Sequence, residues 1–334
     1  MPVDIGKYAE SYLQQWDGRA TVRARRRYRL TADAVWGELY PNDLLPVLKH
    51  PAIAGRGEET RRRIAIQTAC AYQEAIAGIE ADIVTDLCRR LADDGAGVPL
   101  PRAVHQVALT IGTDELYHAY VAREFAADIE RLSAIPALAK GDDRPPLYDA
   151  VAFIRGAAPD GLQRAAETMA LCIAEHFVTE ELFGVSRETA SDSPFQVILR
   201  EHLMDEGRHQ VFFRHLMRHL WEGSEEDVRT ALGRLIPGFL DTFLHPGFYL
   251  KTDVRILDGL GFGNEESRQI VREAATMGHG QLPDAAKGAL PSARHPLKLM
   301  KEAGILDHRP TRDLLAESGW LVRRGKHHNR RDTD

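Results

Sequence analysis

The chain has 334 residues, 44% of them hydrophobic and 28% charged, with a formal net charge of -6. That mildly acidic balance offers no polyanion-binding footprint, so no nucleic acid partner is expected, and the odd, scattered cysteines Cys70, Cys88 and Cys172 argue against a disulfide scaffold and for a reducing compartment. No apolar run reaches the roughly 18 to 20 residues of a membrane span, and the first residues lack a basic-then-apolar signal pattern, so no membrane partner and a cytoplasmic location are expected.

Apolar positions recur three and four apart almost throughout, and no segment alternates β-branched residues between turn signals; the expected fold class is all-α. The basic run Arg23 to Arg27 reads as a solvated helix face, and the tail from Arg323 to Arg331 as a frayed end. A first long helix is predicted from about Glu59 to Leu91, ending at a DDGAG stop, and a second from Pro101 to just before Pro136. After a Gly-, Asp- and Pro-rich connection (Lys140 to Pro146) comes a short helix around Tyr148 to Arg155, then a third long helix from about Leu162 to Val185. A fourth opens at Ser193-Pro194, a cap followed by a first-turn proline, and continues to about Trp221. Ser224 suits the cap of the next helix, and the remainder is expected to form shorter helices broken by Pro237, Pro246 and later Gly and Pro positions. Four long helices joined as two hairpins by a longer crossover are the layout of a ferritin-like four-helix bundle. The expected organisation is one domain over 1–334, with the bundle core at about 59–222, helices of 1–58 and 223–320 packed around it, and a tail at 321–334.

Within this layout the second long helix carries Asp114-Glu115-Leu116-Tyr117-His118 and the fourth carries Asp205-Glu206-Gly207-Arg208-His209, so Asp-Glu-x-x-His occurs twice. Glutamate and histidine three apart share one helix face, so a carboxylate and an imidazole can reach the same metal, and two such helices face to face can hold two. Two copies, each preceded by aspartate, should arise by chance in well under about 1% of chains of this composition. Glu80 precedes Glu115 by 35 positions and Glu175 precedes Glu206 by 31, which sets each opposite its partner across a hairpin. Four carboxylates converging in a core repel strongly unless cations compensate, and oxygen ligands mixed with imidazole, without cysteine, suit iron or manganese. On the third helix Glu180 or Glu181 could replace Glu175, and His176 lies beside it. His202, four residues before Glu206, shares the ligand face. Asp114 and Asp205 would accept the free N–H of a ligand histidine, and Arg208 would balance their charge. The other histidines fit no ligand spacing with this set and read as surface or packing residues.

At these residues the chain resembles the p-aminobenzoate N-oxygenase family, ferritin-like di-iron proteins that oxidise primary amines to hydroxylamines and nitro compounds in natural-product pathways. The resemblance implies a metal set of Glu80, Glu115, His118, Glu175, His202, Glu206 and His209, with His202 matching the third histidine that distinguishes the family. It covers about Glu59 to Trp221, and the tail PLKLMKEAGILD with TRDLLAESGWL looks similar too. It also implies two iron ions cycling between Fe2+ and Fe3+, O2 as co-substrate, a small-molecule amine and an external electron donor. Tyr117 departs from the fourth-helix copy, where Arg208 stands, and no residue identifies a clamp for an arylamine carboxylate. The same ligand set would also suit a di-iron oxidase acting on carbon or a ferroxidase, although 334 residues exceed what a storage bundle requires. Pairing through the outer face of a long helix pair makes a homodimer the expected assembly.

Overall fold

Asp4 opens the first helix: its carboxylate accepts the free N–H groups of Gly6 and Lys7 at 2.8 and 3.1 Å, capping α1 (Ile5–Arg19). The short α2 (Thr21–Ala24) follows at once, and 3-10 turns lead to α3 (Pro51–Ala54). The computed structural model describes residues 4–139, 141, 144–188, 192–245, 247–279 and 287–321, so the basic tail from Arg323 to Arg331 lies outside the described residues. Among the described residues every regular element is helical, and no helix is long and apolar enough to cross a membrane.

The first long helix is α4 (Glu58–Gly78) and α5 (Thr85–Asp94), joined without a break by a π-helical turn, Ile79–Val84. It ends where Gly95 takes a positive φ of 76° and donates its N–H to the Leu91 carbonyl. The second is α6 (Arg102–Ser133), and α7 (Pro146–Ala157) crosses over to α8 (Gln163–Glu188) and α9 (Pro194–Gly223). Ser193 caps α9, accepting the Gln196 N–H at 3.1 Å. The halves α4/α5–α6 and α8–α9 pack as two antiparallel hairpins and meet through α5–α8 and α6–α9, while α1 lies against both α6 and α9. Their facing stripes form the main core, with Val107, Ile111, Met169, Phe212, Phe213 and Leu216 fully buried.

Beyond the bundle come α10 (Glu226–Phe243), α11 (Gly247–Gly259), α12 (Asn264–His279), α13 (Arg294–Glu302) and α14 (Arg309–Glu317). Here three expectations are corrected. Pro237 does not break α10 but sits inside it; burial of Leu232, Ile236, Phe239 and Leu240 against α7 and α14 outweighs the roughly 3 kcal/mol that an interior proline costs. Ser224 caps nothing at the start of α10, because its hydroxyl donates 2.7 Å to the free carbonyl of Leu220 at the end of α9. Nor is the Arg23 to Arg27 run wholly a solvated face. The Arg27 side chain is 11% exposed and pairs with Glu124 at 3.1 Å and Asp128 at 3.4 Å on α6, tying the N-terminal segment to the bundle.

A polar network fastens the crossover. Asp86 on α5 accepts from Arg90 Nε and Arg155 Nη2, each at 2.8 Å, while Arg155 Nε donates to Glu167 on α8 at 2.7 Å. Burial opposes ionisation of Asp86, but the Arg90 and Arg155 hydrogen bonds prevail and hold its carboxyl below the usual range. A depressed folded-state value adds stability above the unfolded value of 3.8 and loses it as pH falls through the folded value. Asp86→Asn should therefore lower stability at pH 7 by about 1 kcal/mol, and by less at pH 3, in thermal scans. Equal losses at both pH values would rule this account out.

Candidate metal centre

The π turn is what aims the first carboxylate. The Thr85 N–H closes a bond to the Glu80 carbonyl five residues back, and the Thr85 hydroxyl donates to the same oxygen at 2.8 Å. One extra residue in the turn shifts the face that Glu80 presents. Glu115 and His118 reach the same interior from α6, Glu175 from α8, and His202, Glu206 and His209 from α9.

The seven side chains form two clusters, Glu80–His118–His202 and Glu115–Glu175–Glu206–His209; within each, one potential ligand atom per residue lies within 4.8 Å of the others. Glu115 and Glu206 also touch the first cluster: His118 Nδ1 is 3.3 Å from Glu115 and 3.6 Å from Glu206, and His202 Nε2 is 3.3 Å from Glu206. These two carboxylates thus lie between the clusters, within reach of both. Except for His202, whose side chain is 15% exposed, all seven are buried.

The donor set can be tested against a metal on geometry. His202 Nε2 lies 2.9 Å from Glu80, and His209 Nδ1 lies 2.8 Å from Glu115. Yet both nitrogens, with Glu80 Oε2, Glu115 Oε1, Glu175 Oε2 and Glu206 Oε1, lack an aligned hydrogen-bond partner among the described residues. Buried polar atoms that crowd together without pairing are left for a further partner, as cation ligands are. The residues present fit a pair of hard or borderline divalent ions.

Electrostatics point the same way. Burial pushes the Glu175 carboxyl well above the usual range, and the charges of Glu115 and Glu206 add to it. Burial also raises Glu80, against the pull of His202. Glu206 is held well below the usual range, burial being outweighed by His202 and His209. Burial would lower His118, but Asp205 and Glu115 raise it well above the usual imidazole value. The group is a cage of opposed charges that added cations would relieve.

Both motif histidines turn Nδ1 toward the centre and Nε2 away. His118 Nε2 lies 3.0 Å from Asp205 and His209 Nε2 lies 3.2 Å from Asp114, so each aspartate holds the histidine of the opposite helix. Arg208 spans both, contacting Asp205 and lying 3.5 Å from Asp114. Glu180 is turned elsewhere, accepting from Gln210 at 3.1 Å and facing His295 and Lys298; Glu181 joins neither cluster. His176, though buried, has no hydrogen-bond partner at either nitrogen among the described residues and stays off the centre.

Sequence spacing missed three groups. Thr179, fully buried four residues after Glu175, donates its hydroxyl to the Glu175 carbonyl at 2.7 Å and sets that oxygen 3.3 Å from the Glu206 carboxylate; a threonine on the ligand face of α8 was the available signal. Trp16 and Thr21 reach Asp114 and Asp205 from the N-terminal segment, and no local pattern marks them.

A cavity of about 30 Å³ borders Glu80's cluster through His118 and His202, walled by Tyr72, Gln73, Ile76, Tyr117, Phe195 and Leu199. At that size it has room for water but not for an organic molecule, since small-molecule pockets start near roughly 300 Å³, so an organic molecule could enter only if these side chains moved.

Residues 31–284 match the family described as P-aminobenzoate N-oxygenase AurF. The 4-aminobenzoate N-oxygenase of Streptomyces thioluteus is 26% identical over 213 residues, a stretch that is 61% of this chain and 61% of that protein. The chain therefore spans about 61% of the length of the relative it matches. With well over half of its residues inside the family match and a helical bundle around two carboxylate–imidazole clusters, the chain belongs to the p-aminobenzoate N-oxygenase family.

Proposed function

We propose that this protein is a non-haem di-iron N-oxygenase that uses O2 to oxidise a primary arylamine to a hydroxylamine or nitro product, drawing electrons from an external donor. The observation that carries this reading is His202: a third imidazole 2.9 Å from Glu80, on the cavity side of the centre, in a chain of this family. Glu80, Glu115, His118, Glu175, His202, Glu206 and His209 would hold the two ions, Asp114 and Asp205 would orient the histidines, and Arg208 would balance the aspartates. Iron bound there would supply activation of O2, and the protein's part is to hold the ions, exclude bulk water and seat the amine.

The name of the S. thioluteus relative suggests an aminobenzoate-type substrate. Beyond His118 and His202, the described cavity wall carries Tyr72, Gln73, Tyr117 and Glu201 but no lysine or arginine, so a ring carboxylate turned away from the centre would meet hydroxyl and amide donors and no fixed cation. Neutral arylamines are therefore included beside 4-aminobenzoate in the test. Protein loaded anaerobically with Fe(II) should bind about two irons per chain. With O2, a reductant and an arylamine, mass spectrometry should then detect the hydroxylamine or nitro compound. No metal uptake would overturn the reading, and Fe(II) oxidation with every amine left intact would replace it with a ferroxidase.

A further inference from the structure

Two hydrogen-bond chains run from the N-terminal segment to the carboxylate–imidazole clusters, and both start outside the family match, which begins at residue 31. In the first, the Trp16 indole N–H on α1 donates to both oxygens of Asp114, at 3.0 and 3.1 Å, and Asp114 in turn meets His209 Nε2 at 3.2 Å. In the second, the Thr21 N–H on α2 donates to both oxygens of Asp205 at 3.3 Å, the Thr21 hydroxyl donates to it as well, and Asp205 meets His118 Nε2 at 3.0 Å. Both aspartates have no exposed surface, so these donors are among the few that fix which way each carboxylate points. An aspartate that is free to rotate would no longer hold its imidazole with Nδ1 toward the centre.

We infer that Trp16 and Thr21 are positioning residues of the metal centre, acting through Asp114 on His209 and through Asp205 on His118. The inference rests on the metal reading proposed above. It makes seating of α1–α2 and metal loading two sides of one equilibrium: whatever orders the segment tightens the ions, and bound ions hold the segment down. It also divides the labour, one N-terminal donor for each of the two clusters.

Co(II) is a suitable probe, because its visible d–d absorption reports the ligand field at the site itself. Titration of wild type should show two ions. Asp114→Asn should weaken the ion held by His209 about 10- to 100-fold, as loss of an outer-shell partner does, and Trp16→Phe, one hydrogen bond further out, should weaken the same ion about 3- to 10-fold with a shifted absorption band. The double variant should bind no worse than Asp114→Asn alone, since Trp16 acts only through that carboxylate. Thr21→Val should act instead on the ion held by His118, and it keeps the test open if Trp16→Phe fails to fold. Trp36→Phe, on the exposed surface, should match wild type. Two ions bound by every variant as by wild type, or Trp16→Phe and Asp114→Asn effects that simply add, would overturn the inference while leaving the metal reading intact. A wild type that binds no cobalt and no iron would remove the metal reading, and this inference with it.

Discussion

Glu175→Gln is expected to have opposite effects on metal binding and on the stability of the metal-free protein. The carboxylate is 4% exposed and forms one cluster with Glu115, Glu206 and His209. Its ionisation is opposed first by burial and then by the two neighbouring carboxylates. Without cations this group is a net cost to the fold, so a neutral isostere should leave the metal-free protein at least as stable as wild type, with a gain on the order of 1 kcal/mol in chemical denaturation. With metal the sign reverses. If Glu175 holds an ion, as proposed, its loss should weaken that ion by more than the roughly 10- to 100-fold typical of an outer-shell loss, leaving about one iron per chain and no N-oxygenation. Glu180→Gln and Glu181→Gln should retain both ions, because Glu180 is engaged with Gln210 and neither residue joins a cluster. A Glu175→Gln protein that is less stable without metal, or that still binds two irons, would show that Glu175 is a structural acid.

Much of the centre was legible because its parts are local. The two Asp-Glu-x-x-His motifs each lie within one helical turn, where spacing alone settles which side chains share a face. Glu80 and Glu175 could be paired with them because a hairpin of long helices turns sequence separation into register. What was not legible depends on distant parts of the chain. The π turn at Ile79–Val84 is a one-residue excess held by packing around α4 and α5, and nothing in IEADIV marks it. Asp114 and Asp205 could be assigned to histidines, but their other partners sit 98 and 184 positions away on an N-terminal segment of undistinguished composition. Pro237 misled for a related reason: a local rule about helix breaking yields where the surrounding apolar burial is larger.

Arg208→Met should be the most damaging change outside the two carboxylate–imidazole clusters, at about 3 to 5 kcal/mol of stability, the usual result of leaving buried charge without its partner. Asp114 and Asp205 are completely enclosed, and the Arg208 guanidinium contacts one and lies 3.5 Å from the other. The same side chain donates from Nη1 to the carbonyls of Met204 at 3.0 Å and Arg19 at 3.3 Å, which locks the end of α1 against α9. Trp16 and Thr21 supply hydrogen bonds to the aspartates but no charge, so they cannot stand in for the guanidinium. Lysine would restore the charge as a single compact ammonium that cannot span two carboxylates, and Arg208→Lys should recover only part of the loss. Adding Asp205→Asn to Arg208→Met should also recover part of it, because one uncompensated charge is then gone. Urea denaturation of the four proteins, metal-free, measures this directly. A single Arg208→Met variant within about 1 kcal/mol of wild type would mean that the imidazoles alone neutralise the aspartates, and that Arg208 serves α1 docking rather than charge balance.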